Sequence, residues 1–262
     1  MKYAVISDLH ANESALRRVL ADAKSHGADR VVCLGDIVGY GPLPAETLAL
    51  ARKSCVATVA GNHDDAVCGR HGDDTFTGLA RDAVRRHREA LQPADIAWLK
   101  SLPYTCEFGR AVAAHGDLFD PQKFYYVENE SDAAATFDAT DAQLVFVGHT
   151  HVPAIFLVGR SGNVYKTEPQ DFTLEDGKRY IVNPGSVGYP RESGGKCFRI
   201  IVTAHSLVEV YASVKIWCGA EPFVECSADD VTIFVVGAPT VNREERAAVY
   251  LEAELARMRD VE

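Results

Sequence analysis

The sequence predicts an α/β protein whose first part is a parallel β-sheet covered by helices. Over residues 1–61, short apolar runs alternate with longer amphipathic segments in the order β-α-β-α-β. A helix between two strands returns the chain to the same end of the sheet, so both strands run parallel. From about residue 149 to 216 the chain instead reads mostly as strands, separated by turn signals such as GRSGN and EDGK.

The β-α-β-α-β segment begins with the apolar run YAVIS at residues 3–7, which is predicted to be a buried strand. A helix follows, with Asn12 as its N-cap and Gly27 as its C-cap. Its apolar residues recur every three or four positions, as one buried helix face requires. The segment continues with a strand at 30–35, a helix from about Pro44 to Lys53 and a strand at 55–61.

The remaining elements are predicted by the same criteria. Helices are expected over much of 77–101, where Pro93 fits the first turn of a helix. Because no repeat, low-complexity segment or linker divides the chain, we expect residues 1–262 to form a single domain. The other elements are a strand at 110–116, a helix at 131–139, a strand at 143–149, five strand-like runs between 154 and 216, and a last helix from about Asn242.

The composition argues against several classes of protein. The formal net charge is −10, and so acidic a surface repels polyanions, so we expect no stable binding to nucleic acids or membranes. The chain shows no signal-peptide pattern and no apolar run long enough to span a bilayer. Seven scattered cysteines without a CxxC pair fit a reducing compartment, and we expect a cytoplasmic protein. The basic run from Arg81 to Glu89 is interpreted as a solvated helix face rather than a binding patch.

Side chains that bind metals follow five of the predicted strands directly. In open α/β sheets the functional site lies outside the carboxyl ends of the strands, so these side chains are expected to converge. An isolated pair such as His149 and His151 is weak evidence. Five such strand ends are hard to explain by packing, because strand cores do not favour these residue types. The candidate ligands are Asp8, His10, Asp36, Asn62, His115, His149 and His151.

These seven candidates are too many for one tetrahedral ion and suit two ions that share a carboxylate. A mixed set of imidazoles and carboxylates favours Mn, Fe, Zn, Co or Ni over Mg or Ca. Two divalent ions carry four positive charges, of which Asp8 and Asp36 neutralise two, so the site would attract a phosphate despite the acidic surface. Two ions about 3.5–4 Å apart also suit in-line displacement at phosphorus.

Five ordered motifs, DxH, GD, GNHD, H and GHTH, resemble those of the calcineurin-like metallophosphoesterase superfamily. The longer strings SDLHAN, CLGDIVGYGP, VAGNHDDAV, AAHGD, VGHTH and NPGSVGYPR are similar to its small bacterial and archaeal phosphoesterases, over roughly residues 1–205. The resemblance implies a four-layer αββα sandwich, in which two mixed β-sheets are flanked by helices and two metal ions lie between the sheets. Residues 206–262 fall outside the resemblance and are predicted only as strands and a helix.

The resemblance also implies roles for single residues. One ion would be held by Asp8, His10, Asp36 and His151 and the other by Asp36, Asn62, His115 and His149, with Asp36 as the bridge. A hydroxide that bridges the ions would attack phosphorus. His63 would protonate the leaving oxygen or steady the transition state, and Asp64 would orient its ring.

The sequence departs from the superfamily pattern after the second strand. Many members, protein phosphatases among them, read GDxxDRG there, whereas residues 35–41 read GDIVGYG and lack the second Asp and the phosphate-gripping Arg. This argues against a protein phosphatase. Arg191 is a candidate phosphate contact instead, with a surface salt bridge as the alternative. In the loop 117–127, Tyr125 and Tyr126 are candidates to stack on a base or an aryl leaving group, with core packing as the alternative for at least one of them.

Three functions are compatible with these features. The leading hypothesis is a metal-dependent phosphodiesterase or phosphatase that hydrolyses a small phosphate ester, such as a nucleotide. A second is a binding scaffold that has lost catalysis, as a retromer subunit of the superfamily is thought to have done, but a scaffold has no reason to retain both the ligand set and His63. A third is a nuclease, which would need a basic track for its strand, and the net charge of −10 argues against it.

Overall fold

Two mixed β-sheets pack against each other in the computed structural model of this protein, and helices cover their outer faces. The structure describes residues 1–167, 172–191, 200–203, 211–214 and 230–235. The predicted α/β class and the four-layer arrangement with two mixed sheets are confirmed. That residues 1–262 form a single domain stays a prediction.

Helices and strands alternate at the start of the chain, and strands alone are described from residue 144 onwards. Among the described helices, none combines the length and the apolar character needed to cross a membrane. The elements in chain order are β1 (Lys2–Ile6), α1 (Glu13–Ser25), β2 (Arg30–Cys33), α2 (Pro44–Ser54), β3 (Cys55–Thr58), α3 (Asn62–Cys68), α4 (Gly78–Ala90), α5 (Pro93–Ser101), β4 (Thr105–Phe108), β5 (Ala111–Ala114), α6 (Glu130–Asp138), β6 (Leu144–Phe146), β7 (Ala154–Val158), β8 (Val164–Thr167), β9 (Phe172–Thr173), β10 (Arg179–Asn183), β11 (Ile200–Thr203), β12 (Tyr211–Val214) and β13 (Asp230–Val235).

The first sheet has the strand order β3-β2-β1-β11-β13-β12-β9, and the second has the order β4-β5-β6-β10-β7-β8. In the first sheet β1, β2 and β3 run parallel, as the alternation of strands and helices predicts. In the second sheet β5, β6 and β10 run parallel, while β4, β7 and β8 pair antiparallel to their neighbours. The parallel strands of each sheet therefore end at one edge.

Successive residues of a strand point to opposite faces, and this alternation separates the layers. In β1, Tyr3 and Val5 face the second sheet, whereas Ala4 and Ile6 pack under the helices that follow β1, β2 and β3. In β10, Val182 belongs to the layer between the sheets, while the opposite face packs beside α6. Two sheets with both faces buried thus lie between two helical layers.

Most predicted elements are present, with boundaries that differ by a few residues. The strand predicted at 55–61 already ends at Thr58, and helix α3 begins at Asn62, where no helix was predicted. Strand β4 was not predicted either, because only Phe108 of its four residues is buried. The last predicted helix, from about Asn242, lies outside the described residues.

Part of the basic run on α4 is packed more closely than a solvated face would be. Arg81 donates a hydrogen bond to the carbonyl of Asp73 (3.1 Å), and Arg88 donates one to the carbonyl of Val67 (3.2 Å). His87, between them in the sequence, is only 3% exposed. The interpretation of this run as a solvated face holds for the exposed residues Arg85, Arg86 and Arg88 and is wrong for His87, which is buried.

Candidate metal centre

The predicted ligands follow strands of both sheets, on sharply turned backbone. Five of them have φ angles between 46° and 67°, a left-handed conformation that residues other than glycine seldom adopt. Such strained residues concentrate at functional sites, where the surrounding structure holds them in place. The five are Asp8, His10, Asp36, His149 and His151.

Four of the predicted ligands form a first cluster, in which one atom of each lies within 4.8 Å of the others. Nε2 of His151 is 2.9 Å from Nε2 of His10 and 3.1 Å from Oδ1 of Asp8. Nε2 of His10 is in turn 3.6 Å from Oδ2 of Asp36. Two imidazoles and two carboxylates therefore face one point, at which they could hold a metal ion.

A second cluster consists of Asp36, His115 and His149, and it shares Asp36 with the first. Nε2 of His115 lies 3.4 Å from Oδ2 of Asp36 and 3.2 Å from Nδ1 of His149. Asn62 lies beside this cluster, because its Oδ1 is 3.2 Å from Nε2 of His115. The structure thus brings all seven predicted ligands together, in the two groups that the resemblance implied.

Hydrogen bonds to backbone carbonyls fix two imidazoles of the first cluster. Nδ1 of His10 lies 3.1 Å from the carbonyl of Val38, and Nδ1 of His151 lies 2.6 Å from the carbonyl of Tyr189. A carbonyl only accepts, so Nδ1 carries the proton and Nε2 presents its lone pair. Metal-binding histidines are held in this way. The two Nε2 lone pairs repel each other at 2.9 Å unless a cation binds between the rings.

One oxygen of each carboxylate is buried without a hydrogen-bond partner in the described part of the chain, namely Oδ1 of Asp8 and Oδ2 of Asp36. The other oxygens are engaged, since Oδ2 of Asp8 accepts from Ser7 and Oδ1 of Asp36 accepts from the backbone amide of His63. Buried unpaired carboxylate oxygens are costly, and both face the imidazoles described above. The residues therefore fit divalent transition-metal ions, which prefer such nitrogen and oxygen donors.

The charges of the centre also suit cations. Burial opposes ionisation of Asp36, but His115 and His63 hold the pKa of its carboxyl well below the usual range. Burial lowers the pKa of His149 to about 3, which leaves its ring neutral and able to coordinate. Burial acts in the same direction on His115, yet Asp36 and Asp8 raise its pKa to about 10. The two carboxylates thus attract positive charge, which a metal ion could supply in place of that proton.

His63, for which a catalytic role is predicted, lies beside the first cluster. Its ring packs edge-on against His10 (5.0 Å between centroids) and against Phe76 (4.6 Å). It is 4% exposed, and burial lowers its pKa to about 4. Aromatic contacts therefore hold this imidazole against the metal-binding residues.

The prediction that Asp64 orients the His63 ring is wrong. Both oxygens of Asp64 bind backbone amides instead: Oδ1 accepts from Ile37 (2.9 Å) and Val38 (3.2 Å), and Oδ2 accepts from Gly61 (3.0 Å). Nδ1 of His63 has no hydrogen-bond partner among the described residues. Asp64 therefore joins the segment after β2 to the start of α3, and it acts on the backbone rather than on the imidazole.

We expect Asp64→Asn to destabilise the protein by about 2 kcal/mol, because an amide nitrogen would then face a backbone N–H donor in a buried site. Urea unfolding of the metal-free protein measures this loss. Asp82→Asn, on the exposed side of α4, serves as the control and should change the free energy of unfolding by less than about 0.5 kcal/mol. Equal stabilities of the two variants would contradict the bracing role of Asp64.

Two aromatic residues near the centre were not predicted. The ring of Tyr40 packs edge-on against His10 (4.8 Å between centroids) and stacks on Tyr189 at 4.4 Å with an interplanar angle of 9°. Both lie within strings that resemble the superfamily, CLGDIVGYGP and NPGSVGYPR, but no role was assigned to either tyrosine.

His87 was also not identified as part of the site. Its Nδ1 accepts a hydrogen bond from the backbone amide of Gly39 (3.0 Å), and its Nε2 donates one to the carbonyl of Gly41 (2.8 Å). A Cβ atom at Gly39 would lie only 2.3 Å from Nδ1 of His63, so this loop directly abuts the imidazole. His87 thus fixes the loop that carries Tyr40, and nothing in the α4 sequence pattern indicates this contact.

Two of the three predicted substrate contacts lie beside the centre. Tyr126 stacks on His149 at 4.0 Å with an interplanar angle of 5°. Arg191 is exposed and interacts electrostatically with the phenol groups of Tyr126 and Tyr40. Tyr125 is 54% exposed and Tyr126 is 42% exposed, so neither is a core residue. That all three contact a substrate stays a prediction.

This protein is a two-sheet α/β sandwich in which carboxylates and imidazoles meet at the ends of the strands. Such a fold and site are characteristic of the class of metal-dependent phosphoesterases. The chain belongs to the calcineurin-like phosphoesterase superfamily, whose domain model matches residues 1–206. This confirms both the resemblance found in the sequence and its extent, and it makes the protein a metal-dependent hydrolase of phosphate esters.

Known proteins agree with this assignment. An uncharacterized protein of Methanocaldococcus jannaschii is 36% identical over 202 residues, which is 74% of this chain and 79% of that protein. Phosphodiesterase YfcE of Escherichia coli K12 is 28% identical over 199 residues, or 72% of this chain and 86% of YfcE. The crystal structure of a metallophosphoesterase from Sphaerobacter thermophilus superposes with a TM-score of 0.65 at 38% identity, covering 77% of this chain and 82% of that one.

Proposed function

We propose that this chain hydrolyses a small phosphodiester or nucleotide with two divalent transition-metal ions, of which manganese is one candidate. The observation that carries the proposal is a pair of buried carboxylate oxygens, one on Asp8 and one on Asp36, which have no hydrogen-bond partner among the described residues and face imidazole nitrogens. The first ion would be held by Asp8, His10, Asp36 and His151, and the second by Asp36, Asn62, His115 and His149.

Each residue around the bound ions would have a separate role in hydrolysis. When bound, the two ions would supply positive charge for the phosphoryl oxygens and lower the pKa of water. Asp36 would serve both ions with one oxygen, while the His63 backbone amide holds its other oxygen in place (2.9 Å). The His63 ring would protonate the leaving oxygen or steady the transition state by a hydrogen bond. Arg191 would contact a phosphoryl oxygen, because guanidinium matches phosphate geometry.

The organic part of the substrate would lie against the loop 117–127. We propose that Tyr126 and Tyr125 stack on a flat leaving group or base, since both rings are exposed and Tyr126 adjoins His149. A diester is favoured over a phosphoprotein because the similar protein YfcE is named a phosphodiesterase and because the chain lacks the GDxxDRG motif.

The test uses metal-stripped protein reloaded separately with Mn, Zn, Ni, Co or Mg and assayed on bis(p-nitrophenyl) phosphate and p-nitrophenyl phosphate. We expect turnover only with a transition metal and faster turnover of the diester. His63→Ala should lower kcat by about 100-fold or more, without changing the number of bound ions. His26→Ala, at the end of α1, is the matched control and should keep full activity.

A protein that binds two ions per chain and hydrolyses neither ester with any metal would count against a general phosphoesterase. It would shift the interpretation to a scaffold or a highly selective enzyme. Salt-dependent binding to single-stranded DNA would favour a nuclease instead. We place the activity in the cytoplasm, in line with the free thiols of the described cysteines, Cys33, Cys55, Cys68 and Cys106.

A further inference from the structure

Asn183, the last residue of β10, is buried and uses its whole side-chain amide in hydrogen bonds beside the metal centre. Its Nδ2 donates to the carbonyl of Gly148 (2.7 Å) and to the hydroxyl of Thr150 (3.1 Å). Its Oδ1 accepts from the backbone amide of Gly185 (2.8 Å). A carbonyl only accepts and a backbone N–H only donates, so these partners fix the orientation of the amide. Neither aspartate nor leucine, which have a similar shape, can make all three bonds.

The two acceptors of Asn183 flank His149, a member of the second cluster, on either side in the chain. His149 has a φ angle of 67°, a strained conformation that the surrounding structure must hold. Its own backbone amide donates to Oδ2 of Asp8 (3.1 Å). Its Nδ1 lies 3.2 Å from Nε2 of His115, within the second cluster. Asn183 therefore bonds to the chain directly before and directly after a strained ligand.

The residues that follow Asn183 in the chain contact other parts of the centre. The hydroxyl of Ser186, a buried side chain, donates to the carbonyl of Asp8 (2.8 Å). The carbonyl of Tyr189 accepts from Nδ1 of His151 (2.6 Å). These bonds join the loop after β1 to the loop after β6, so the turn is part of the support of the centre and not only a connection between strands.

We propose that Asn183 is a positioning residue, which holds the backbone of His149 so that its imidazole faces the second ion. The inference rests on the two-ion centre of the proposed function. Residues that orient metal ligands typically contribute about 10–100-fold to metal affinity. The first ion should depend less on Asn183, because the imidazole of His151 is fixed separately by the carbonyl of Tyr189. Loss of Asn183 should therefore weaken one ion selectively.

Titration of metal-stripped protein with Co(II) tests this role without any need for turnover. We expect Asn183→Ala to raise the dissociation constant of the ion in the second cluster by about 10–100-fold, and that of the other ion by less than about threefold. The visible absorption of bound Co(II) depends on its coordination geometry, so the spectrum of the second ion should change as well. His149→Ala identifies which ion and which bands belong to the second cluster. Asn163→Ala, at an exposed asparagine, is the matched control and should change neither quantity.

Thr150 supplies a milder pair of variants. Thr150→Val keeps the shape of the side chain but removes the hydroxyl that accepts from Asn183, and it should weaken the second ion to a smaller extent. Thr150→Ser keeps a hydroxyl and should bind both ions as the wild type does. If Asn183→Ala did not fold, this pair would decide the question, and equal ion binding by the two variants would overturn the inference.

A folded Asn183→Ala variant that binds both ions with wild-type affinity and spectrum would also overturn the inference, even with a lower melting temperature. Asn183 would then stabilise the fold without acting on the ligand. A wild-type protein with two bound ions but no turnover would contradict the proposed hydrolysis alone, because the Co(II) titration would still decide the positioning role. A wild-type protein that binds fewer than two ions would overturn both.

Discussion

Replacing Asp36 by asparagine should remove ions from both clusters and lower kcat/KM for a phosphodiester by about 1,000-fold or more. Oδ2 of Asp36 lies 3.6 Å from Nε2 of His10 and 3.4 Å from Nε2 of His115, so one oxygen serves both groups of ligands. In the variant, an uncharged amide nitrogen or oxygen takes its place. Asparagine is nearly isosteric and can still accept the hydrogen bond from the His63 amide, so the loss reflects charge and coordination rather than folding.

Elemental analysis of the reloaded variant measures the ions, and the diester assay measures the activity. Asn62→Ala is an informative comparison, because Asn62 lies beside the second cluster, with its Oδ1 3.2 Å from Nε2 of His115, and its loss should weaken one ion. Asp73→Asn, in a surface pair with Arg85, controls for the change from carboxylate to amide. If Asp36→Asn kept two ions and more than about a tenth of the activity, a shared carboxylate would be the wrong description of this centre.

The ligand set could be predicted from the sequence because it depends on local chain position and a general property of sheets. Each candidate follows an apolar run, and parallel strands bring their carboxyl ends to one edge. Asp8 after β1 and Asp36 after β2 illustrate this, since the structure joins these strand ends through the Asp8 amide and the Gly35 carbonyl (3.0 Å). Convergence of this kind needs no knowledge of side-chain packing.

The parts that were missed depend on contacts between distant segments. Asp64 was expected to bind its neighbour His63, but the backbone amides of Ile37 and Val38 come within reach only after folding. His87 is separated by 48 residues from Gly39, to which it is bonded. On α4, the spacing of Ala80, Ala83 and Val84 places His87 on the buried face, but it does not indicate which distant backbone groups the imidazole binds. Proximity in the chain is therefore a weak guide to a side chain's hydrogen-bond partner.

The second large effect that we expect is a loss of stability when Asp65 is replaced. This carboxylate is fully buried and accepts hydrogen bonds from Arg70 (2.6 Å), His71 (2.7 Å) and Tyr104 (2.9 Å). Arg70 also donates to the carbonyl of Leu102 (2.8 Å), so the network ties α3 to the segment after α5. Because α3 begins with Asn62 and His63, the network supports one side of the metal centre from behind.

We expect Asp65→Ala to destabilise the protein by about 3–5 kcal/mol, since it leaves the largely buried Arg70 guanidinium without its counter-charge. The melting temperature of the metal-free protein should fall by about 10 °C. Asp73→Ala removes an exposed ion pair with Arg85 and should cost less than about 1 kcal/mol. Urea unfolding monitored by circular dichroism measures the free-energy loss of each variant.

A double variant separates the charge from the packing. Asp65→Leu with Arg70→Met replaces the buried pair by apolar side chains and should recover most of the lost stability, because the unpaired charge is then absent. His71 and Tyr104 would lose an acceptor, but both are partly exposed and can bind water. If the double variant were as unstable as Asp65→Ala, the hydrogen bonds of His71 and Tyr104 would carry the stability instead. If Asp65→Ala and Asp73→Ala proved equally stable, the Asp65 network would not contribute to the stability of the protein. Apolar contacts would then hold α3 in place.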